Sequence, residues 1–340
     1  MPRRSPVPCC RLLAALVTLL LAGLSCAHRP TPAASPESPP MTSIRNAQLT
    51  LSFHLPDAAN GYYRGPRFAW SGLLASAEVG GHRWFGPWLD QHNPTHHDHV
   101  DGTPGEFGMF SPLGYADAKV GGHFLKIGVG YLERAKNEPY KFYFDYQVAK
   151  PLPWDVKQGR GWIEFRQDLR DPAGWGYALR HRIELAGARP AFRIIYDLRN
   201  IGTKPIVTDY YCHNFVNVDG APIGPDYELT FPFDLKFKPL TEGLAENRGR
   251  ELFFPQVLTE KAFFTKLEAL AGTVAENRAR VRHRPSGATL EIVGDWAPSA
   301  YNVFVARGAA CPEPYLALDL APGAARTWTT TYTFSVSPPQ

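Results

Sequence analysis

Four short stretches of this 340-residue chain gather side chains that can do chemistry. The densest is His92-Asn93-Pro94-Thr95-His96-His97-Asp98-His99-Val100-Asp101, with four histidines and two aspartates in ten residues. Imidazole and carboxylate are ordinary Zn²⁺ donors. The run has no i, i+4 helical pair, however, and Pro94 with the following Gly102 puts it on a loop. A solvated polar loop is the plainer account, so no metal or cofactor is expected, and His92, His96, His97 and His99 are the residues to watch.

The second stretch, Tyr210-Tyr211-Cys212-His213-Asn214-Phe215-Val216-Asn217-Val218-Asp219-Gly220, ends a strand and enters a turn. A histidine there is either a buried structural residue or a neutral imidazole poised for proton transfer beside aromatic rings. In the third, Cys311-Pro312-Glu313-Pro314-Tyr315, a lone carboxylate sits between two prolines. It reads as an ion-paired edge residue or as a base whose pKa is raised by burial. The fourth, Gly61-Tyr62-Tyr63-Arg64-Gly65-Pro66-Arg67-Phe68-Ala69-Trp70-Ser71-Gly72, sets two arginines among aromatics. That mixture suits a sugar, with rings on its apolar face and guanidinium donors on its hydroxyls, but it also describes a hairpin with exposed arginines.

Antiparallel strands would have to position these groups. Alternating segments rich in β-branched and aromatic residues recur at Trp162–Arg170, Tyr177–Leu185, Phe192–Leu198, Ile206–Val218, Thr289–Val293, Asn302–Ala306 and Thr327–Val336. Gly, Pro and Asn punctuate them, and no helices lie between them to build βαβ units. Only Thr259–Ala271 has a mixed periodicity compatible with a helix. The 30 Gly and 32 Pro residues exclude a helical bundle. The 44% hydrophobic content excludes a disordered chain. The expected body is one all-β domain spanning residues 47–340.

Residues 1–26 form a secretory signal by pattern: Arg3, Arg4 and Arg11 with no acid, then the apolar run Leu12–Leu24, too short to cross a bilayer. Cys26 is a candidate for lipidation, and Ser25-Cys26-Ala27 also fits ordinary cleavage. The lipoprotein reading is preferred because a Pro-rich linker over residues 27–46 follows and would act as a tether. The protein is therefore expected outside the cytoplasm, anchored to a membrane and facing the periplasm or the cell exterior. With the signal arginines set aside, basic and acidic residues nearly balance, so nothing points to nucleic acid.

In their order along the chain, these motifs resemble the aldose 1-epimerase (galactose mutarotase) superfamily. Tyr63–Gly72 with Arg67 is similar to its early Arg motif. Tyr211-Cys212-His213-Asn214-Phe215 resembles its mid-chain His motif. Glu313-Pro314, Leu320-Ala321-Pro322-Gly323 and Trp328–Phe334 resemble its ending. The resemblance covers residues 47–336 and implies a β-supersandwich of antiparallel strands. It implies His213 as the acid that protonates the ring oxygen of a sugar and Glu313 as the base that takes the anomeric proton, with no cofactor. Arg67 would hold a sugar hydroxyl, with Glu106, His123, Tyr211 and Asp295 as further substrate-binding candidates. The implied ligand is a monosaccharide or oligosaccharide, and the alternative is a non-catalytic carbohydrate-binding lipoprotein on the same fold. Catalysis calls for carboxylate and imidazole in one pocket, about a sugar ring apart.

Strand parity speaks to the remaining cysteines. Cys212 is one residue from His213 and should face the opposite side of the sheet, whereas Cys311 is two residues from Glu313 and should share its side. No disulfide is expected between them.

Overall fold

The computed structural model describes residues 38–239 and 241–337. Apart from one 3₁₀ turn at Val274–Glu276, the regular structure of these residues is antiparallel β. The resemblance is upheld at this level: the architecture is an all-β sandwich. Ten strands, running in space from Glu246–Arg248 to Asp155–Gly159 and centred on Ala288–Gly294 and Ala325–Val336, form the large sheet. A five-stranded sheet carries the order Phe263–Lys266, Ala300–Ala306, Ala309–Leu320, Ile206–Cys212 and Gly105–Phe107. Four-stranded and three-stranded sheets complete the fold.

Alternation along the five-stranded sheet divides the interior. Tyr210, Cys212, Val303, Leu316 and Leu318 turn into one apolar cluster with Phe165, Ile194, Tyr196 and Tyr332 of the large sheet. Tyr211, Cys311 and Tyr315 turn into a second cluster with Tyr63, Phe68 and Phe215. Side chains one residue apart on a strand point to opposite faces, so the parity expectation holds: Cys212 and Cys311 lie in different clusters, and both thiols are free.

All seven segments expected to be strands contain strand, with three adjustments to the wider reading. Thr259–Ala271 is not helical; it contains the strand Phe263–Lys266, which buries Phe263 and Thr265 and pairs with Ala300–Ala306. The ordered body begins before residue 47, because Met41–Arg45 pairs with Thr50–His54 and buries Ile44. The linker expected over residues 27–46 is overlapped by this strand pair, and its part up to residue 37 lies outside the described residues, as do the expected signal and Cys26. The strand expected over Ile206–Val218 stops at Cys212, and only isolated bridges continue it at Val216 and Val218.

That early stop creates an opening. Ala309–Leu320 pairs with Ile206–Cys212 only from Leu316 to Leu320, whereas on its other side it pairs with Ala300–Ala306 along Ala309–Tyr315. Pro312 and Pro314 have no N–H to offer. The Pro312 carbonyl instead accepts from the side-chain amide of Asn214 at 2.8 Å. The two strands therefore part around His213 and Glu313.

Candidate functional site

His213 and Glu313 stand on the two lips of this opening. His213 Nε2 lies 3.2 Å from Glu313 Oε1, a contact not aligned as a hydrogen bond, and both side chains are buried. They share a cavity of about 580 Å³ whose wall includes Arg67, Trp88, Asp98 and Asn302. The structure thus brings the pair into one pocket, but in contact rather than a sugar ring apart. The cause is local: Phe215 stacks on the imidazole at 4.0 Å, and Phe68 and Phe304 pack against it at 5.8 and 5.4 Å.

Burial sets the charge of the pair. Glu313 is pushed up to about 8 by desolvation, against the pull of Arg67. Desolvation and the Arg67 charge hold His213 well below the usual imidazole range. Near neutral pH the pocket therefore contains a carboxylic acid and a neutral imidazole.

Three of the five N–H donors of Arg67 are engaged. Its Nε donates to Glu106 at 2.8 Å, one terminal nitrogen donates to Asp98, and the other donates to the Tyr211 hydroxyl at 2.7 Å. Phe68 and Phe142 cover its guanidinium at 4.6 and 4.5 Å. Behind it, Glu106 accepts from Tyr211 at 2.7 Å and from Lys126 at 2.8 Å. Although burial opposes ionisation, Lys126 and Arg67 hold Glu106 below the ordinary carboxylate range. Glu106 and Tyr211, expected to bind substrate, are thus outside the cavity wall and position Arg67. Register explains this: Tyr211 pairs with Glu106 across adjacent strands, so both turn to the same face.

No protein-family model matches the chain, and no curated protein matches it in sequence. Solved structures do match. The Slr1438 protein of Synechocystis sp. PCC 6803 aligns with a TM-score of 0.58 at 14% identity, over 90% of this chain and 99% of that one. A galactose mutarotase-like protein of Clostridium acetobutylicum gives 0.54 at 11% identity, over 88% of this chain and 99% of that one. A galactose mutarotase related enzyme of Lactobacillus acidophilus gives 0.53 at 12% identity, over 88% and 98%. The fold is galactose mutarotase-like.

Within this mutarotase-like sandwich the remaining candidates separate. His123 is exposed at the start of the strand His123–Lys126, and Asp295 is exposed, accepting from the Thr329 amide at 2.9 Å; neither lines the cavity. Both are corrected as site residues, because the Gly-Gly-His order and a turn aspartate carry no information on which sheet face they join.

The histidine-rich loop reaches the cavity through Asp98. His97 Nδ1 meets Asp145 at 2.9 Å and its Nε2 lies 3.3 Å from Asp98, so the loop joins the segment that carries Phe142. Those two carboxylates raise the His97 pKa although burial works against them. Among the described residues, His96, His97 and Asp145 place three possible ligand atoms within 4.8 Å of one another. His92 instead stacks on Tyr62 at 4.0 Å, and His99 Nδ1 accepts from the Asn93 amide. His96 Nδ1 accepts from the Asp98 amide at 3.2 Å, which leaves the proton of a neutral ring on Nε2, the atom nearer Asp145. The trio fits a loop fastening better than a metal centre. The loop leaves through Gly102 at φ +79°, where a Cβ would fall 2.0 Å from the Leu74 carbonyl oxygen.

Sequence reasoning missed Asn302 and Lys266. Lys266 pairs with Asn302 and Asn302 with Glu313, which aligns the three in a row across the sheet, all lining the cavity. Asp98 was assigned only to the metal question; its larger contact is with Arg67.

Proposed function

We propose that the chain is a carbohydrate-active isomerase of the aldose 1-epimerase kind, interconverting sugar anomers by acid/base ring opening without a cofactor. One observation carries the reading: an imidazole and a carboxyl 3.2 Å apart in a cavity walled largely by aromatic side chains. The transferable proton rests on Glu313. Its passage to His213 produces the state in which His213 protonates the ring oxygen and Glu313 takes the anomeric hydroxyl proton. The bond from C1 to the ring oxygen breaks with its electron pair going to that oxygen, while the O1–H pair becomes the carbonyl of the open aldehyde. Rotation about C1–C2 exposes the other carbonyl face, and the reversed transfers close the ring as the opposite anomer. Protons and electrons balance, and the pair returns to its starting state.

Arg67, fixed by three partners, supplies the positive charge beside this centre. The test is exchange NMR or polarimetry on D-glucose and D-galactose. Glu313→Gln and His213→Asn are each expected to lower the catalysed rate at least a hundredfold. A wild-type rate equal to spontaneous mutarotation for every sugar tried overturns the proposal.

A second reading, a non-catalytic carbohydrate-binding lipoprotein, draws on the contact itself, since a touching pair leaves no ring-sized gap. It expects calorimetric binding without turnover. We also propose export and lipid attachment at Cys26, on the strength of the residue pattern alone. Metabolic labelling with a palmitate analogue, lost in Cys26→Ser, tests it.

A further inference from the structure

The same cavity bears on which cyclic hemiacetal enters, an inference that rests on the reaction proposed above. We propose that the substrate is a sugar carrying a bulky apolar substituent, aryl or alkyl, rather than a free hexose.

The polar supply is the first reason. A bound hexose presents several hydroxyls besides the anomeric one, and each that is buried without a partner weakens binding. His213 and Glu313 are committed to the anomeric centre. Three of the five N–H donors of Arg67 are taken by Glu106, Asp98 and Tyr211, and the rings of Phe68 and Phe142 lie against its guanidinium. Asp98 is divided between Arg67 and His97. Asn302, Lys266 and the two other N–H groups of Arg67 are left for the remaining hydroxyls, a short supply for a buried hexose.

The walls are the second reason. Trp88, Phe110, Phe142, Phe264, Phe304 and Tyr315 line the cavity, a surface that takes a hydrocarbon or an aromatic ring better than a ring of hydroxyls. At about 580 Å³ the space lies well inside the range of ~300–1,000 Å³ typical for drug-sized ligands. Phe110 is the third reason. It is 66% exposed although most large aromatic side chains of the protein are buried, and it lies in a stacked orientation 6.3 Å from Tyr315. What gives its exposure weight is its place on the wall beside five other aromatic side chains, with which it offers apolar surface to a bound substituent. The substituent would lie along these rings while the hemiacetal end reaches His213 and Glu313.

The test is calorimetric titration of the wild-type protein with D-galactose and its four mono-O-benzyl ethers at the non-anomeric hydroxyls. At least one ether is expected to bind tenfold or more tightly than D-galactose. Phe110→Ser, at a position exposed enough to leave the fold alone, is expected to shrink that ratio severalfold. The inference is overturned if no ether binds more tightly than the parent, or if the ratio survives the loss of Phe110. Exchange NMR on the same sugars separates the two claims. A tightly bound ether whose anomers do not interconvert sinks the reaction and spares the substrate class. Turnover of D-galactose with no preference for an ether does the reverse.

Discussion

The Asn214 side chain spans the parted strands, donating to the Pro312 carbonyl at 2.8 Å while accepting from the Tyr332 hydroxyl at 2.7 Å. One amide therefore ties the lip that carries His213 to the lip that carries Glu313, and anchors both to the large sheet. Asn214→Ala strands two buried polar partners, each worth ~1–3 kcal/mol. Urea denaturation is expected to show a loss of about 2–4 kcal/mol; a change below ~0.5 kcal/mol contradicts the bridging role.

The His213–Glu313 pair gives opposite pH limbs to stability. Glu313 has a folded pKa of about 8, above its ordinary value of 4.5, so the folded state holds a proton that the unfolded chain has released between those values. Its contribution is full below about 4.5 and falls as pH rises through 8. Glu313→Gln is expected to remove this decline and to be more stable than wild type at alkaline pH. For His213 the folded pKa is depressed. Its stability is full above the ordinary imidazole pKa and is lost as pH falls below it, a loss that His213→Asn should remove. Denaturant midpoints of the three proteins across pH 5–9 provide the measurement, and parallel curves would falsify the assignment.

Behind Arg67, Tyr211→Phe removes the hydroxyl shared by Arg67 and Glu106. The ring still fills its place in the aromatic cluster. Anomer exchange is expected to slow roughly tenfold, the worth of about 1.4 kcal/mol, and stability to fall by ~1–3 kcal/mol because two buried charged groups lose a partner. Glu106→Gln is the harsher change, because it leaves buried Lys126 and Arg67 short of a counter-charge. A cost of ~3–5 kcal/mol is expected from broken buried pairs of this kind.

Both described thiols should be inert in the folded protein. Burial pushes Cys212 up to about 12 and raises Cys311 as well, so neither forms the reactive thiolate at pH 8. Iodoacetamide should label them only after denaturation, and a non-reducing peptide map should show no Cys212–Cys311 link.

Zinc offers a check on the loop. Because the His96 ring accepts from the backbone amide of Asp98, equilibrium dialysis of the folded protein should find no stoichiometric Zn²⁺. Asp145→Asn should instead loosen the loop and speed proteolysis within residues 92–101. Tight zinc binding lost on that substitution would reverse the assignment.

Much of this architecture could be read in advance, for identifiable reasons. Strands such as Trp162–Arg170 and Thr327–Val336 carry strict alternation, which is a local property of the chain. His213, Glu313 and Arg67 stand in short motifs whose residue types are rare enough to notice. Asn302 and Lys266 were invisible because only register places them beside Glu313. Glu106 and Tyr211 were found but given the wrong part, since pairing between distant strands decides which of two buried polar groups touches the cavity. His123 and Asp295 had polar side chains and no face to assign them to.

The prolines on either side of Glu313 carry a consequence for evolution and for engineering. A gap in a β-ladder made only by side chains could be zipped shut by a few substitutions or a slipped register. Here the backbone itself lacks the donors needed to close it. Wall residues such as Phe110, Phe142 or Asn302 can therefore be exchanged to admit new ligands while the entrance stays open, a slot whose width is set by the imino acids and whose taste is set by everything else.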